Sequence, residues 1–198
     1  MQLDLERDIL PDLQKQIVKA LAEHGALTIM QTRKRISKHY AATHRAFQSL
    51  KRKQIIKEVS TKNWKGRKYP QYWLTVKGML TALILRASPT KMLMHASKIY
   101  PNNKEVEFLL KSAKYVNPDI FRIPYAKLQK NKRIELEQPD LHQVAAIQMA
   151  IEPDEQNLTA LAKLLQEYYP QHHANFLKKL EKAIELLTRI KAKLEKES

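Results

Sequence analysis

The stretch Ala41 to Lys53, AATHRAFQSLKRK, constrains the fold most because its apolar and polar residues separate at the period of an α-helix. A basic face that can form hydrogen bonds, backed by an apolar face, is what a helix needs to enter a DNA groove. Many solvated surface helices share this pattern, so the surrounding sequence must decide. The predicted apolar face holds Thr43, Ala46, Phe47 and Leu50, and the polar face holds His44, Arg45, Gln48, Lys51 and Arg52.

The excess positive charge of the chain is concentrated around this stretch. The chain has 198 residues, enough for one large or two small domains, and a net charge of +16. Between Gly25 and Arg86 there are 15 Lys and Arg but a single acidic residue, Glu58, which gives this segment a charge of +14. The residues after Arg86 carry only +4, and those before Gly25 carry −2. This asymmetry predicts a partner with dense negative charge, with nucleic acid first and an anionic membrane second.

Composition excludes several classes of protein. The chain has no cysteine, so disulfides, zinc fingers and thiol nucleophiles are excluded. It has three glycines and no GxGxxG or GxxxxGK[ST] motif, which argues against a nucleotide-driven enzyme. No run of 18 apolar residues occurs, and the acidic N-terminus lacks an apolar signal core. We therefore expect a cytoplasmic protein that does not enter a membrane.

The histidines and acids form no recognisable catalytic or metal-binding motif. No HExxH motif and no Ser/His/Asp order is present, and the pair His172 and His173 is more typical of a surface. We therefore predict no enzyme activity, no metal and no cofactor. The seven histidines are His24, His39, His44, His95, His142, His172 and His173.

The sequence around the basic helix predicts a short, ordered series of elements. Glycine, proline and the spacing of apolar residues set the expected boundaries. The predicted series is a helix from Pro11 to Gly25, a strand stub at Ala26 to Ile29, a helix at Gln31 to Ser37, the basic helix, strands at Ile55 to Val59 and Tyr72 to Val76 joined by a basic loop at Ser60 to Gln71, and a helix from Thr75 or Val76 to Arg86.

This order resembles the winged helix-turn-helix domain of bacterial and archaeal transcription regulators. The resemblance rests on LAEHGALTI (Leu21 to Ile29), HRAFQSLKRKQII (His44 to Ile56) and YWLTVKG (Tyr72 to Gly78), and covers about residues 10 to 86. There are two departures. Ser37 stands where glycine is common in the turn, and Gln54 stands where glycine often ends the recognition helix.

The resemblance implies that Ala41 to Lys53 is a recognition helix lying in the major groove. Arg45 would then contact O6 and N7 of guanine, and Gln48 would contact N6 and N7 of adenine. The alternative is an ordinary solvated basic face. The predicted base-reading residues are Ala42, His44, Arg45 and Gln48. The predicted backbone contacts are Arg33, Lys34, Lys38, Ser49, Lys51 and Arg52.

The basic loop after this helix would be the wing, lying on the DNA backbone or in the minor groove. Trp64 would cover a sugar or pack back onto the hairpin, and the sequence leaves both possibilities open. A charged turn that prevents aggregation is the alternative for the whole loop. The predicted wing residues are Lys62, Asn63, Trp64, Lys65, Arg67 and Lys68.

The chain after Arg86 is predicted to be helical, with breaks at prolines. Helices are expected from Ser88 to Ile99, Lys104 to Tyr115, Asp140 to Ile151 and Asp154 to Tyr169. The last segment has apolar residues spaced 4, 3, 4, 3 and 4, which is a heptad seam that pairs with a second copy or packs within its own domain. The seam residues, predicted to mediate dimerisation, are Phe176, Leu180, Ala183, Leu187, Ile190 and Leu194.

The predicted fold class is therefore mainly α with a small β-hairpin. We expect a winged helix-turn-helix domain at residues 1–86, a helical domain at 87–170 and a long C-terminal helix at 171–198. The predicted function is that of a homodimeric, nucleoid-associated transcription regulator that binds specific double-stranded DNA. The alternatives are a winged-helix module for protein–protein interaction, a protein of plasmid replication or partition, and a chromatin-associated protein.

Overall fold

The computed structural model describes residues 10–122, 125 and 155–170, together with residues 173, 174, 177, 178, 181, 182, 184, 185, 188, 189 and 192. This part of the chain contains seven bounded α-helices, a short 3-10 helix and one antiparallel hairpin, which confirms a mainly α fold with a small β-hairpin. The elements are α1 (Asp12–His24), α2 (Ile29–Ile36), α3 (Tyr40–Arg52), β1 (Ile56–Trp64), β2 (Arg67–Leu74), α4 (Val76–Ile84), α5 (Pro89–Ile99), α6 (Lys104–Ser112), the 3-10 helix (Pro118–Phe121) and α7 (Glu155–Tyr168).

Most helices begin at a polar side chain that accepts a hydrogen bond from an amide of the first turn. At α2, the Thr28 hydroxyl accepts from the Gln31 amide, and the Gln31 side chain accepts from the Thr28 amide, which completes a capping box. The Thr75 hydroxyl caps α4 by accepting from the Gly78 amide, and the Ser88 hydroxyl caps α5 by accepting from the Lys91 amide. The cap at Thr28 explains why α2 begins at Ile29, two residues before its predicted start at Gln31.

The hairpin is much longer than predicted. The expectation of a loop at Ser60 to Gln71 was wrong, because β1 continues to Trp64 and β2 begins at Arg67. A two-residue turn joins the strands, with φ of 48° at Lys65 and 74° at Gly66, as a type I′ turn requires. The cationic, exposed residues of this segment lack the apolar alternation by which strands are recognised.

Pro70 lies within β2 without disrupting the hairpin. The Leu27 amide donates to the Tyr72 carbonyl at 3.1 Å, and the Tyr72 amide donates to the Leu27 carbonyl at 2.9 Å. The backbone N–H groups of alternate residues in a strand point to the same edge, so the nitrogen of Pro70, like that of Tyr72, faces away from β1. The missing N–H of Pro70 therefore costs no hydrogen bond to β1. The predicted strand stub is reduced to Leu27.

A single hydrophobic core runs through α1, α3, the hairpin, α4, α5, α6 and α7. Trp73 of β2 is fully buried in it, 5.8 Å from the ring of Tyr100, whose hydroxyl donates to the Leu74 carbonyl at 2.7 Å. Burial raises the pKa of Tyr100 to about 12. The residues on the two sides of the predicted domain boundary at Arg86 therefore share one core.

Parts of the predicted C-terminal region lie outside the described residues. These include the predicted helix at Asp140 to Ile151 and the whole heptad seam: Phe176, Leu180, Ala183, Leu187, Ile190 and Leu194. The described residues between 173 and 192 are helical, and Leu177 and Ile184 are exposed. The predicted helix at Asp154 to Tyr169 is α7, and α6 ends at Ser112, three residues before its predicted end at Tyr115.

Candidate nucleic-acid interface

The basic helix α3 packs its apolar face onto the core, as its period predicts. Thr43, Ala46, Phe47 and Leu50 are all buried. The Phe47 ring meets the ring of Tyr72 edge-on, with 5.4 Å between centroids, and the Thr43 hydroxyl donates to the His39 carbonyl at 2.9 Å. The burial of this face and the contact between Phe47 and Tyr72 fix the rotation of α3 about its axis, and so determine which side chains face solvent.

The opposite face of α3 is cationic and exposed. Arg45, Gln48, Lys51 and Arg52 are exposed, whereas Ala42 and His44 are half-buried. Within the described part of the chain, none of these side chains forms a salt bridge. The guanidinium and amide groups of this face are therefore available to acceptors and donors on a partner. His44 differs from the others, since its ring lies 6.0 Å from that of Tyr40.

Ser49 faces α1 rather than the exposed cations. Its hydroxyl accepts a hydrogen bond from Nε2 of the buried Gln14 at 3.0 Å. Oε1 of Gln14 in turn accepts from Nζ of Lys53 at 3.1 Å. The Ser49 hydroxyl can still donate its own hydrogen to a partner, but its observed hydrogen bond holds α3 on α1. This link is not predictable from the sequence, because Gln14 lies far from both partners along the chain.

The cations at the end of α2 and in the turn after it lie beside α3, because α2 packs on α3. Lys34 and Lys38 are exposed and Arg33 is half-buried. Ser37 in this turn has φ of 52°, and Gln54 after α3 has φ of 57°. Both residues adopt the left-handed conformation that glycine takes more easily, so the chain turns at these points without glycine.

The two faces of the hairpin tip carry different side chains. Pairing places Lys62 opposite Tyr69 and Trp64 opposite Arg67, and alternation along the strands places both pairs on one face. Asn63 pairs with Lys68 on the other face. Since β2 has no bulge, Lys68 is on the same face as Tyr72, which packs on α3. Asn63 and Lys68 therefore extend the α3 side of the molecule.

Trp64 is 59% exposed at the end of β1. Its ring lies 6.4 Å from that of Tyr69, and Nζ of Lys65 lies 5.0 Å from its centroid. The indole thus touches the hairpin but leaves most of its surface free, which is unusual for so large an apolar group.

The exposed face of Trp64 borders a groove that the sequence did not reveal. The groove has a volume of about 330 Å³ and lies between α2 and the hairpin tip. Met30, on the α2 side, is 46% exposed. The sequence predicts no role for Met30 or Tyr69, because the two walls of the groove come from segments far apart in the chain. The lining residues are Thr28, Met30, Gln31, Lys34, Lys62, Trp64 and Tyr69.

The base of the hairpin is fixed by a junction between Ile55, Thr75 and Gly78. The Thr75 amide donates to the Ile55 carbonyl at 3.0 Å, and the Thr75 hydroxyl accepts from the Gly78 amide at 3.1 Å. Behind this junction, burial lowers the pKa of Lys77, and the neighbouring charge of Lys53 lowers it further. The hairpin and the end of α3 are therefore held in one rigid frame.

Within the described residues there is no group of three His, Asp or Glu side chains arranged to bind a metal. No helix among them is both long and apolar enough to cross a membrane. At the end of α1, burial, followed by the charge of Arg35, lowers the pKa of His24. No protein-family model, curated protein sequence or solved structure matches this chain.

Proposed function

We propose that this protein is a double-stranded DNA-binding transcription regulator of the winged helix-turn-helix type, in which α3 enters the major groove and the hairpin tip is the wing. The observation that carries the proposal is the exposed cationic face of α3, with cations of α2 on one side and of the hairpin on the other. In the whole segment from Gly25 to Arg86, Glu58 is the only acid. Such a surface suits the closely spaced phosphates of a duplex.

Affinity and specificity would come from different side chains. Lys34, Lys38, Lys51, Arg52 and Lys68 are flexible cations suited to phosphates, which set register but carry no sequence information. The guanidinium of Arg45 carries two donors, which match the two acceptors of guanine in the major groove. The amide of Gln48 carries a donor and an acceptor, which match the acceptor and the donor of adenine. A rigid α3 lowers the cost of presenting them, because its buried face is already fixed.

The binding site should be determined first, by selecting duplexes from a random pool with the full-length protein. Affinities for the selected duplex and for a scrambled duplex are then measured by fluorescence anisotropy at several salt concentrations. For contacts to about six to ten phosphates, affinity should fall by on the order of a thousandfold or more between about 50 and 200 mM salt. A flat salt titration, or a pool that yields no duplex, contradicts the proposal.

Two variants test the assignment of roles. Arg45→Ala should weaken the selected duplex by about 1–3 kcal/mol and the scrambled duplex far less, whereas Lys65→Ala should weaken both alike. Lys98→Ala is the matched control, since Lys98 is an exposed lysine on α5, which packs on α1 and α6. Equal losses on both duplexes for Arg45→Ala would contradict base reading by this residue.

The proposed regulator acts as a homodimer through the C-terminal seam, since winged helices on two-fold sites work in pairs. The selected site tests this directly, because a dimer predicts two inverted half-sites. Sedimentation of the full chain, with and without the duplex, gives the stoichiometry. A single asymmetric half-site bound by one copy contradicts the dimer but leaves the DNA-binding proposal intact.

A further inference from the structure

We propose that the groove between α2 and the hairpin tip binds an unpaired DNA base, which stacks on Trp64 while the adjoining phosphates lie against Lys34 and Lys62. This site depends on the proposed DNA binding and extends it, since it adds a preference for duplexes that carry unpaired nucleotides. It would lie beside the duplex contact rather than within it.

The groove has the chemistry of a site for a nucleobase. Trp64 and Tyr69 form an aromatic wall, Met30 contributes a polarisable apolar surface opposite, and Lys34 and Lys62 supply positive charge from the two sides. No acidic side chain is among the residues that line it. Aromatic side chains combined with cations are the means by which proteins hold single-stranded nucleic acid, since every base has a π-face.

Size and exposure agree with this occupant. The volume of about 330 Å³ is at the lower end of the range for small-molecule sites, which fits one base rather than a peptide helix. Trp64 is 59% exposed and Met30 is 46% exposed, so two large apolar side chains face solvent across one groove. A stacked base would cover both.

Trp64 and Lys62 place most of the groove outside the face proposed to contact the duplex, and Lys34 borders both surfaces. Trp64 and Lys62 are on the hairpin face opposite to Asn63 and Lys68, which extend the α3 side. A strand held against α3 and Lys68 would have to pass around the hairpin tip to reach Trp64. A flexible unpaired end can do this, whereas a base inside a stacked duplex cannot do so without being extruded.

The experiment compares three kinds of DNA that contain the same duplex. One is blunt, one has a four-nucleotide single-stranded extension made as 3′ and as 5′ versions, and one has the same extension with abasic nucleotides. The full-length protein should bind one of the extended duplexes at least about fivefold more tightly than the blunt one, as stacking of one base predicts. The abasic extension keeps the phosphates and should lose this preference.

The ratio of extended to blunt affinity is then measured for variants. Trp64→Ala should bring the ratio to about one, Trp64→Phe should keep most of it, and Lys98→Ala should leave it unchanged. A 2-aminopurine in the extension should be quenched by the wild type but not by Trp64→Ala.

The outcomes separate this inference from the proposed function. Equal binding of blunt and extended duplexes, or an equal gain from the abasic extension, overturns the groove site and leaves duplex binding standing. A Trp64-dependent preference for the extension without affinity for the blunt duplex supports the groove site and contradicts the proposed regulator. Failure to bind every DNA overturns both.

Discussion

The indole N–H of Trp73 donates a hydrogen bond to the carbonyl oxygen of Leu21 at 2.9 Å, and both residues are fully buried. The same oxygen accepts from the Gly25 amide at 3.0 Å. One carbonyl therefore ties the end of α1 to the base of the hairpin. This bond joins the strand that leads to the hairpin tip directly to α1.

Trp73→Phe should destabilise the protein by about 1–3 kcal/mol, because it removes this hydrogen bond and leaves part of the indole volume empty. Chemical denaturation followed by circular dichroism measures the change. The matched control is Trp64→Phe, which alters an exposed indole and should change stability by less than about 0.5 kcal/mol. Equal effects of the two substitutions would mean that the buried bond contributes little.

The two glycines of the hairpin region should respond differently to substitution. A Cβ at Gly78 would collide with the carbonyl oxygen of Ile55, which cannot move without breaking its bond to the Thr75 amide. Gly78→Ala should therefore cost about 3 kcal/mol, at the upper end for overpacking. Thermal unfolding measures it.

Gly66 provides the comparison, because a Cβ there meets open space and only its φ of 74° is demanding. Asparagine tolerates this conformation in type I′ turns, so Gly66→Asn should cost less than about 1 kcal/mol. If Gly66→Asn is the more damaging change, the collision at Gly78 is relieved by a backbone shift.

The spacing of apolar residues along the sequence predicts the helices that bury one face in the core. The predicted helix Ala41 to Lys53 agrees with the observed helix Tyr40–Arg52 to within one residue at each end, because its buried residues recur at helical spacing. The sequence predicts a loop at the hairpin tip, since strands that project into solvent need no apolar alternation. The Gln14 link to Ser49 and the groove beside Trp64 depend on residues brought together only by tertiary packing.

The contact between α6 and α7 should make stability depend on pH. Nζ of Lys111 lies 3.0 Å from a carboxylate oxygen of Glu107 and 2.5 Å from the hydroxyl of Tyr168. Hydrogen bonding to Tyr168, and then to Lys111, holds the pKa of Glu107 below its usual value of 4.5. A lowered pKa in the folded state stabilises the protein above pH 4.5, and this stabilisation is lost as pH falls through the lowered value.

Between about pH 5 and about pH 3, Tm of the wild type should therefore fall more than Tm of Glu107→Gln, by about 1–3 °C. The difference is small because the Glu107 side chain is 42% exposed and solvent screens the pair. Differential scanning fluorimetry at closely spaced pH values measures it. Parallel curves for the two proteins would show that the pair contributes nothing to folding.

Lys51 and Arg52 should contribute to the affinity for DNA but not to sequence specificity. Both are exposed in the last turn of α3, beyond the proposed base-reading residues Arg45 and Gln48. Each phosphate contact adds about 0.9 to the slope of log affinity against log salt. The double variant Lys51→Ala, Arg52→Ala should therefore lower that slope by about 2, weaken selected and scrambled duplexes equally, and leave the ratio of the two affinities unchanged.

Salt titrations by fluorescence anisotropy test this, with Lys98→Ala as the control that keeps the wild-type slope. An unchanged slope with a reduced ratio would instead assign these two residues to base recognition, because base contacts change specificity without releasing counterions.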